Sequence, residues 1–176
     1  MNQGIEFIIK NNFVETNKKF LDKHHLLLEY KVSERTLCGA LAIEISKALE
    51  NSWYFAYFVD IEYNRSHDMI KMLPKKYVSD DFTEEQQRIF PDIIVHSRGQ
   101  RELDNLLVIE MKKADACEEW KNIDRKRLMA MTMQNGLFKY RLGIFYIVDF
   151  ARKQIQLEYY VNGELVGVDN ENFVGV

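Results

Sequence analysis

Two carboxylates and a lysine lie at the ends of two apolar runs of the sequence. Asp92 follows Pro91 at the start of the first run, and Glu110 and Lys112 lie two positions apart at the end of the second. Residues two apart on a strand point to the same face. Carboxylate oxygens are ligands that Mg²⁺ prefers, and a nearby lysine can orient or deprotonate a water or stabilise charge on a phosphate. These residue types together suit the hydrolysis of a phosphodiester bond.

The segment between the two runs predicts how the acids meet. Residues 97–101 are polar and include a glycine, which is typical of a hairpin turn. A turn centred on Arg101 places Asp92 directly opposite Glu110. Because opposed residues on antiparallel strands have Cβ atoms roughly 5 Å apart, the two carboxylates can then share one divalent cation, Mg²⁺ or Mn²⁺.

A helix before these strands carries a further acid. Ser33 is a plausible N-cap, and Leu37, Leu41 and Ile45 recur at helical spacing after it. Glu34 therefore falls in the first turn of this helix. There it can either serve the site or simply complement the helix dipole, and the sequence leaves both readings open.

The remaining patterns predict the other elements. Residues 4–30 are typical of one or two helices, and the residues near 120–135 of an amphipathic helix. Four runs predict strands, and a polar connection over 64–89 links the first two. The Asn162-Gly163 pair indicates a hairpin with a type I′ turn. The predicted strands are 53–63, 90–96, 103–112 and 142–150, and the hairpin pairs 154–161 with 164–168.

The order helix, three strands, helix, strand predicts an α/β fold with a mixed central sheet flanked by helices. A chain of 176 residues fits a single domain. We therefore interpret 1–176 as one domain, with a helical preface (1–32), a core (33–150) and a terminal hairpin (151–176).

Charge and cysteine content limit the class of protein. The net charge of −3 counts against a broadly basic surface, although basic residues are concentrated between positions 112 and 127. Cys38 and Cys117 form no CxxC pair, and no apolar run is long enough to cross a bilayer. We expect a cytoplasmic setting without a membrane.

The residues Pro91-Asp92 and Glu110-Met111-Lys112 on consecutive apolar strands resemble the PD-(D/E)XK nuclease superfamily, which has the restriction-endonuclease-like fold. The resemblance covers about residues 33–150, and the αβββαβ order of that fold agrees with the order predicted above. A closer resemblance, carried by residues 62–65, 91–96 and 105–113, is to small uncharacterised bacterial proteins of the superfamily.

The resemblance implies roles for particular residues. Asp92, Glu110 and the backbone carbonyl of Met111 would bind the metal, Lys112 would be the catalytic lysine, and Glu34 would hold the place of a glutamate from the first core helix. Asp124, Arg127 and Leu128 loosely match an aspartate, a basic residue and a leucine in the next helix, with arginine in place of the commoner lysine.

Four basic residues are candidates for binding substrate. They are Lys113, Arg127, Arg65 and Arg98. The alternative for the helix residues is an ordinary solvated surface, and for Arg65 a salt bridge with Glu62 at a strand end. The histidines have no metal-ligand spacing, and the aromatic residues near position 55 are more typical of a core.

These observations predict a metal-dependent endonuclease acting on DNA rather than RNA, which would leave a 5′-phosphate, as the resemblance implies. A monomer of this size would nick one strand. Specificity would come from residues 64–89, from a homodimer or from a partner in a larger complex. The alternative is a catalytically silent nuclease-like fold that binds nucleic acid or a partner protein.

Overall fold

The computed structural model of the chain describes residues 4–52, 54–66, 69–77 and 85–173. Four α-helices lie within these ranges: α1 (Ile5–Lys23), α2 (His25–Glu29), α3 (Glu34–Glu50) and α4 (Glu118–Thr132). The strands are β1 (Phe58–Ile61), β2 (Arg65–Ser66), β3 (Met69–Ile70), β4 (Met72–Pro74), β5 (Gln86–Arg88), β6 (Ile93–His96), β7 (Asn105–Lys113), β8 (Leu142–Asp149), β9 (Gln154–Val161) and β10 (Glu164–Asn172).

Six strands form one mixed sheet in the order β1-β6-β7-β8-β9-β10. β1, β6 and β7 are antiparallel neighbours, whereas β8 lies parallel to β7. Parallel neighbours need a crossover connection, and α4 provides it. The predicted α/β class, with a mixed sheet flanked by helices, is confirmed.

Side chains alternate between the two faces of the sheet along each strand, and an apolar core lies on each face. Ile109 and Met111 of β7 pack in the core that includes α1 and α3, while Val108 packs in the core formed with Leu128 and Met131 of α4. Glu110 and Lys112 lie two and four residues after Val108 on β7, so their side chains point to the same face of the sheet, the one that α4 covers. The register of β7 therefore decides which helix the two side chains meet.

The predicted helix cap is confirmed. The Ser33 hydroxyl accepts a hydrogen bond from the Thr36 N–H at the start of α3. Such a cap satisfies a backbone donor that the first helical turn leaves unpaired. It fixes where α3 begins, and hence where Glu34 stands relative to the sheet.

The terminal hairpin turns at Asn162 and Gly163, whose φ angles are 50° and 82°. Positive φ at both positions is what a type I′ turn requires. β10 continues to Asn172, further than the predicted end at position 168, and the hairpin extends the central sheet as its edge.

Two parts of the prediction were wrong. The first strand begins at Phe58 rather than at position 53, because residues 54–56 form a turn, and Trp53 lies outside the described residues. The connection 64–89 is not a plain loop, since β2 pairs with β3 and β4 pairs with β5 within it. Among the described residues, no helix is long and apolar enough to cross a membrane.

Candidate active site

The predicted hairpin register brings the two principal acids together. Ile93 pairs with Ile109 and Ile94 with Val108, the register that a turn centred on Arg101 predicts. Continuing this pairing by one residue places Asp92 opposite Glu110. A bulge between Val95 and His96 lies toward the turn and leaves this end of the hairpin in register.

Asp92 is held in place by the neighbouring strand. Its Oδ2 accepts a hydrogen bond from the Met111 N–H at 2.7 Å. The backbone of Asp92 is also hydrogen-bonded, since the Glu62 N–H donates to the Asp92 carbonyl at 3.3 Å. The carboxylate is thereby directed toward β7 at the end of the sheet where Glu110 and Lys112 lie.

Glu34 reaches the same end of the sheet from α3. Its Oε1 accepts a hydrogen bond from the Lys113 N–H at 2.8 Å, and its Oε2 lies 3.8 Å from Lys112 Nζ. The capped first turn of α3 therefore delivers a third carboxylate beside β7. This contact gives Glu34 a position in the cluster as well as at the helix terminus.

Glu110 is the most deeply buried acid of the group, with 1% of its surface exposed. Its Oε2 accepts a hydrogen bond from Arg127 Nη2 at 3.0 Å. Its Oε1 is buried and has no hydrogen-bond partner among the described residues. A buried carboxylate oxygen without a donor is costly, so this atom is suited to receiving a cation.

Asp124 and Arg127 bring α4 into the cluster. They lie three residues apart on the helix, so both side chains project toward β7. Arg127 Nη2 donates to Asp124 Oδ1 as well as to Glu110, and Lys112 Nζ lies 3.1 Å from Asp124 Oδ2. Sequence analysis named Asp124 only as a loose match and missed its place in the site, for which the three-residue spacing to Arg127 was the available signal.

Burial shifts the acids toward protonation. The pKa of Asp92 is raised because burial penalises its charged form, and the hydrogen bond from Met111 only partly opposes this. Burial also raises the pKa of Glu110 well above its ordinary value, against the attraction of Arg127. A bound divalent cation would favour the ionised forms of both groups.

The two basic groups remain charged. Burial by itself would lower the pKa of Lys112, but Asp124, Asp92 and Glu34 raise it above the ordinary value. The same balance holds for Arg127, where burial is outweighed by Glu110 and Asp124. The neighbouring acids therefore favour the charged form of Lys112.

The acidic side chains are of the type that a hard divalent cation takes, although Arg127 stands among them. Carboxylate oxygens from Asp92, Glu110 and Asp124 are the ligand type that Mg²⁺ and Mn²⁺ take, and Glu110 Oε1 is an unsatisfied member of the set. In the described part of the chain, no group of three or more His, Cys, Asp or Glu side chains is arranged to hold a metal as it stands. The Met111 carbonyl accepts a hydrogen bond from Lys112 Nζ at 3.2 Å.

The other predicted substrate contacts are scattered. Lys113 is half-buried beside the cluster, with its ammonium 5.4 Å from the centre of the Phe150 ring. Arg65 is exposed on β2, within the inserted segment. Arg98 lies beyond the opposite end of β6 and binds Asp60 through two hydrogen bonds of 2.7 and 3.0 Å. The structure thus places Arg127 and Lys113 with the acids and Arg98 away from them.

The ion pair suggested for Glu62 has a different partner in the structure. Glu62 pairs with Arg35 at 2.6 Å, so the suggested Glu62–Arg65 bridge is replaced by one to α3. One basic residue of α4 is also paired within the chain. Arg125 pairs with Glu158 and Glu118, because acids on β9 and in the first helical turn face it.

In comparisons with known proteins, no protein-family model, no curated protein and no solved structure matches the chain.

Proposed function

We propose that the chain is a metal-dependent nuclease that hydrolyses phosphodiester bonds in DNA. The observation that carries the proposal is the meeting of Asp92, Glu110 and Lys112 at one end of the β6–β7 hairpin. Asp92 is bonded to the strand that bears the other two, and Glu34 closes the group from α3. Acids that could share a cation and a charged lysine are the parts that such hydrolysis requires.

The order of elements around the site supports the same proposal. A helix, an antiparallel three-stranded unit, a crossover helix and a parallel fourth strand surround the cluster. This order resembles the αβββαβ order of the restriction-endonuclease-like fold, in which the motif residues would lie on the second and third strands. We propose DNA as the substrate and a 5′-phosphate as the product on this resemblance.

In this proposal the acidic residues would bind the cation and the basic residue would stabilise negative charge. Asp92 and Glu110 would hold the cation, with Asp124 as a neighbouring donor. When bound, Mg²⁺ or Mn²⁺ would supply a Lewis acid that activates water and neutralises phosphate charge. Lys112, kept protonated by Asp124, Asp92 and Glu34, would stabilise the negative charge that develops as water oxygen bonds to phosphorus and the 3′-oxygen leaves. Glu34 would hold the Lys113 backbone and Lys112 in place.

The non-catalytic alternative is favoured by one specific feature. Arg127 and Lys112 already neutralise much of the acid cluster, as an inert ion-pair network would. A nuclease-like fold of this kind would bind nucleic acid or a partner protein without cutting it. The two functions differ in whether strand breaks depend on Asp92 and Lys112.

The test is incubation of supercoiled plasmid with the wild-type protein and with Asp92→Asn and Lys112→Ala variants, with and without Mg²⁺. Metal-dependent nicking by the wild type and its loss in both variants is the expected result. Asp60→Asn is the matched control, because Asp60 pairs with His96 and Arg98 away from the cluster. Nicking that persists in both site variants would remove this site from the reaction. DNA binding without any nicking would favour the alternative.

A further inference from the structure

The guanidinium of Arg127 occupies the place in the cluster where positive charge is most needed. A single nitrogen, Nη2, serves both Glu110 Oε2 and Asp124 Oδ1. These are the two most buried carboxylates of the site, with 1% and 3% of their surfaces exposed. Arg127 therefore acts as their counter-ion from within the protein.

A second cation cannot join this arrangement without cost. A divalent ion bound by Glu110 and Asp124 would lie close to the guanidinium, and like charges at such separations repel strongly in a partly buried site. Both acids already have basic partners, since Glu110 pairs with Arg127, and Asp124 pairs with Arg127 and Lys112.

The guanidinium is only partly satisfied where it lies. Arg127 Nε is buried and has no hydrogen-bond partner in the described part of the chain. The Arg127 side chain as a whole keeps 19% of its surface exposed. An arginine binds phosphate oxygens through two parallel hydrogen bonds, and a phosphodiester offers both acceptors at once.

We propose that Arg127 is a resident counter-ion that keeps Glu110 and Asp124 from binding a divalent cation until a nucleic-acid phosphate draws its guanidinium away. The inference rests on the proposed nuclease function and names how that site is regulated. The Arg127 guanidinium then donates to two phosphate oxygens instead of to Glu110 and Asp124. The two carboxylates become free to bind the metal. Metal and substrate then load together.

This coupling has a thermodynamic signature. If DNA raises the affinity for metal by some factor, metal must raise the affinity for DNA by the same factor. Couplings of this kind commonly amount to about 5- to 150-fold in affinity. Without Arg127, Glu110 loses its ion pair and Asp124 keeps only the one with Lys112, so metal should bind more tightly in the absence of DNA.

The experiment measures Mn²⁺ affinity by electron paramagnetic resonance, with and without a cleavage-resistant phosphorothioate DNA duplex. For the wild type we expect DNA to strengthen Mn²⁺ binding about tenfold or more. For Arg127→Gln we expect tighter Mn²⁺ binding without DNA and little further effect of DNA. Arg125→Gln is the matched control on the same helix, because Arg125 pairs with Glu158 and Glu118, and its coupling should equal that of the wild type.

The outcomes separate the inference from the function on which it rests. Mn²⁺ binding that is lost in Glu110→Gln but is equally tight in wild type and Arg127→Gln would overturn the inference and leave the nuclease proposal standing. Mn²⁺ binding that is absent from the wild type with and without DNA would overturn both. Wild-type coupling is measured without any substitution, so its absence overturns the inference even if Arg127→Gln fails to fold.

Discussion

Lys112 shows how the neighbours of a residue select its chemistry. A lysine beside a reacting phosphate can in principle act as a base or as a cation. Here its ammonium lies 3.1 Å from Asp124 and 3.8 Å from Glu34, and nearby acids raise its pKa despite burial. The surroundings favour the charged form, so the lysine is suited to stabilising developing negative charge.

Replacing Lys112 by glutamine should lower kcat about 10²- to 10³-fold, the range found when one electrostatic donor is removed from an active site. The change keeps a polar side chain of similar length but removes the charge, so KM for plasmid DNA should change little. Steady-state nicking measurements separate the two constants. An unchanged kcat, or a loss confined to KM, would contradict the assigned role.

At the scale of elements, the start of α3 connects helix capping to the site. The Ser33 cap precedes Glu34, whose carboxylate bonds the Lys113 backbone. The helix therefore begins at a fixed point relative to β7. Removal of the Ser33 cap should therefore lower the stability of the fold.

Replacing Ser33 by alanine should destabilise the fold by about 1 kcal/mol, because one N–H of the first turn loses its acceptor. In a chain of this size that corresponds to a fall of about 2 to 4 °C in Tm. Thermal unfolding followed by circular dichroism measures it. Ser33→Asp, which keeps an acceptor, is the control and should unfold near the wild-type temperature. Equal loss in both variants would mean that capping is not the cause.

Glu44 joins α1 to α3 and makes their packing pH-dependent. Its side chain is 9% exposed and lies 2.7 Å from Lys23, 3.1 Å from Lys47 and 3.2 Å from His24. The hydrogen bond from Lys23, with further help from His24 and Lys47, lowers the pKa of Glu44 from 4.5 to about 2. A lowered pKa in the folded state means that the contribution is complete above pH 4.5 and is lost as the pH falls toward 2.

Glu44→Gln should therefore lower the free energy of unfolding at neutral pH by about 1 kcal/mol, since the partner lysines are half exposed and screened by solvent. It should also flatten the decline of stability between pH 4.5 and 2. Urea unfolding at a series of pH values measures both effects. Glu15→Gln, which removes an exposed pair with Lys18, is the control. A Glu44→Gln curve parallel to the wild type through the acid range would contradict the assignment.

The sequence predicted the elements that follow a regular pattern. Alternation and turn residues were sufficient for the register of β6 and β7, because one shifted residue would turn buried side chains to the wrong face. The start of β1 was misjudged because Tyr54 and Tyr57 look like strand residues but lie in or beside a turn. The short strands between 64 and 89 carry no periodic signal. The Arg127 contacts depend on how α4 packs over β7, which spacing along one helix does not specify.

At the scale of the whole molecule, a net charge of −3 gives DNA no general attraction. The basic side chain in contact with the acid cluster from α4, Arg127, is already paired with Glu110 and Asp124. In the proposed function, DNA binding would depend on Arg127 exchanging these internal partners for a phosphate. The same exchange would allow the divalent cation to bind only to protein molecules that already have DNA bound.

The most direct test of the central claim is anomalous diffraction from a crystal grown with Mn²⁺ and a phosphorothioate DNA duplex. The account predicts a manganese peak about 2 Å from carboxylate oxygens of Asp92 and Glu110, with the Arg127 guanidinium on a DNA phosphate. A crystal with bound DNA in which Arg127 remains on Glu110 and no manganese lies at either acid would contradict it.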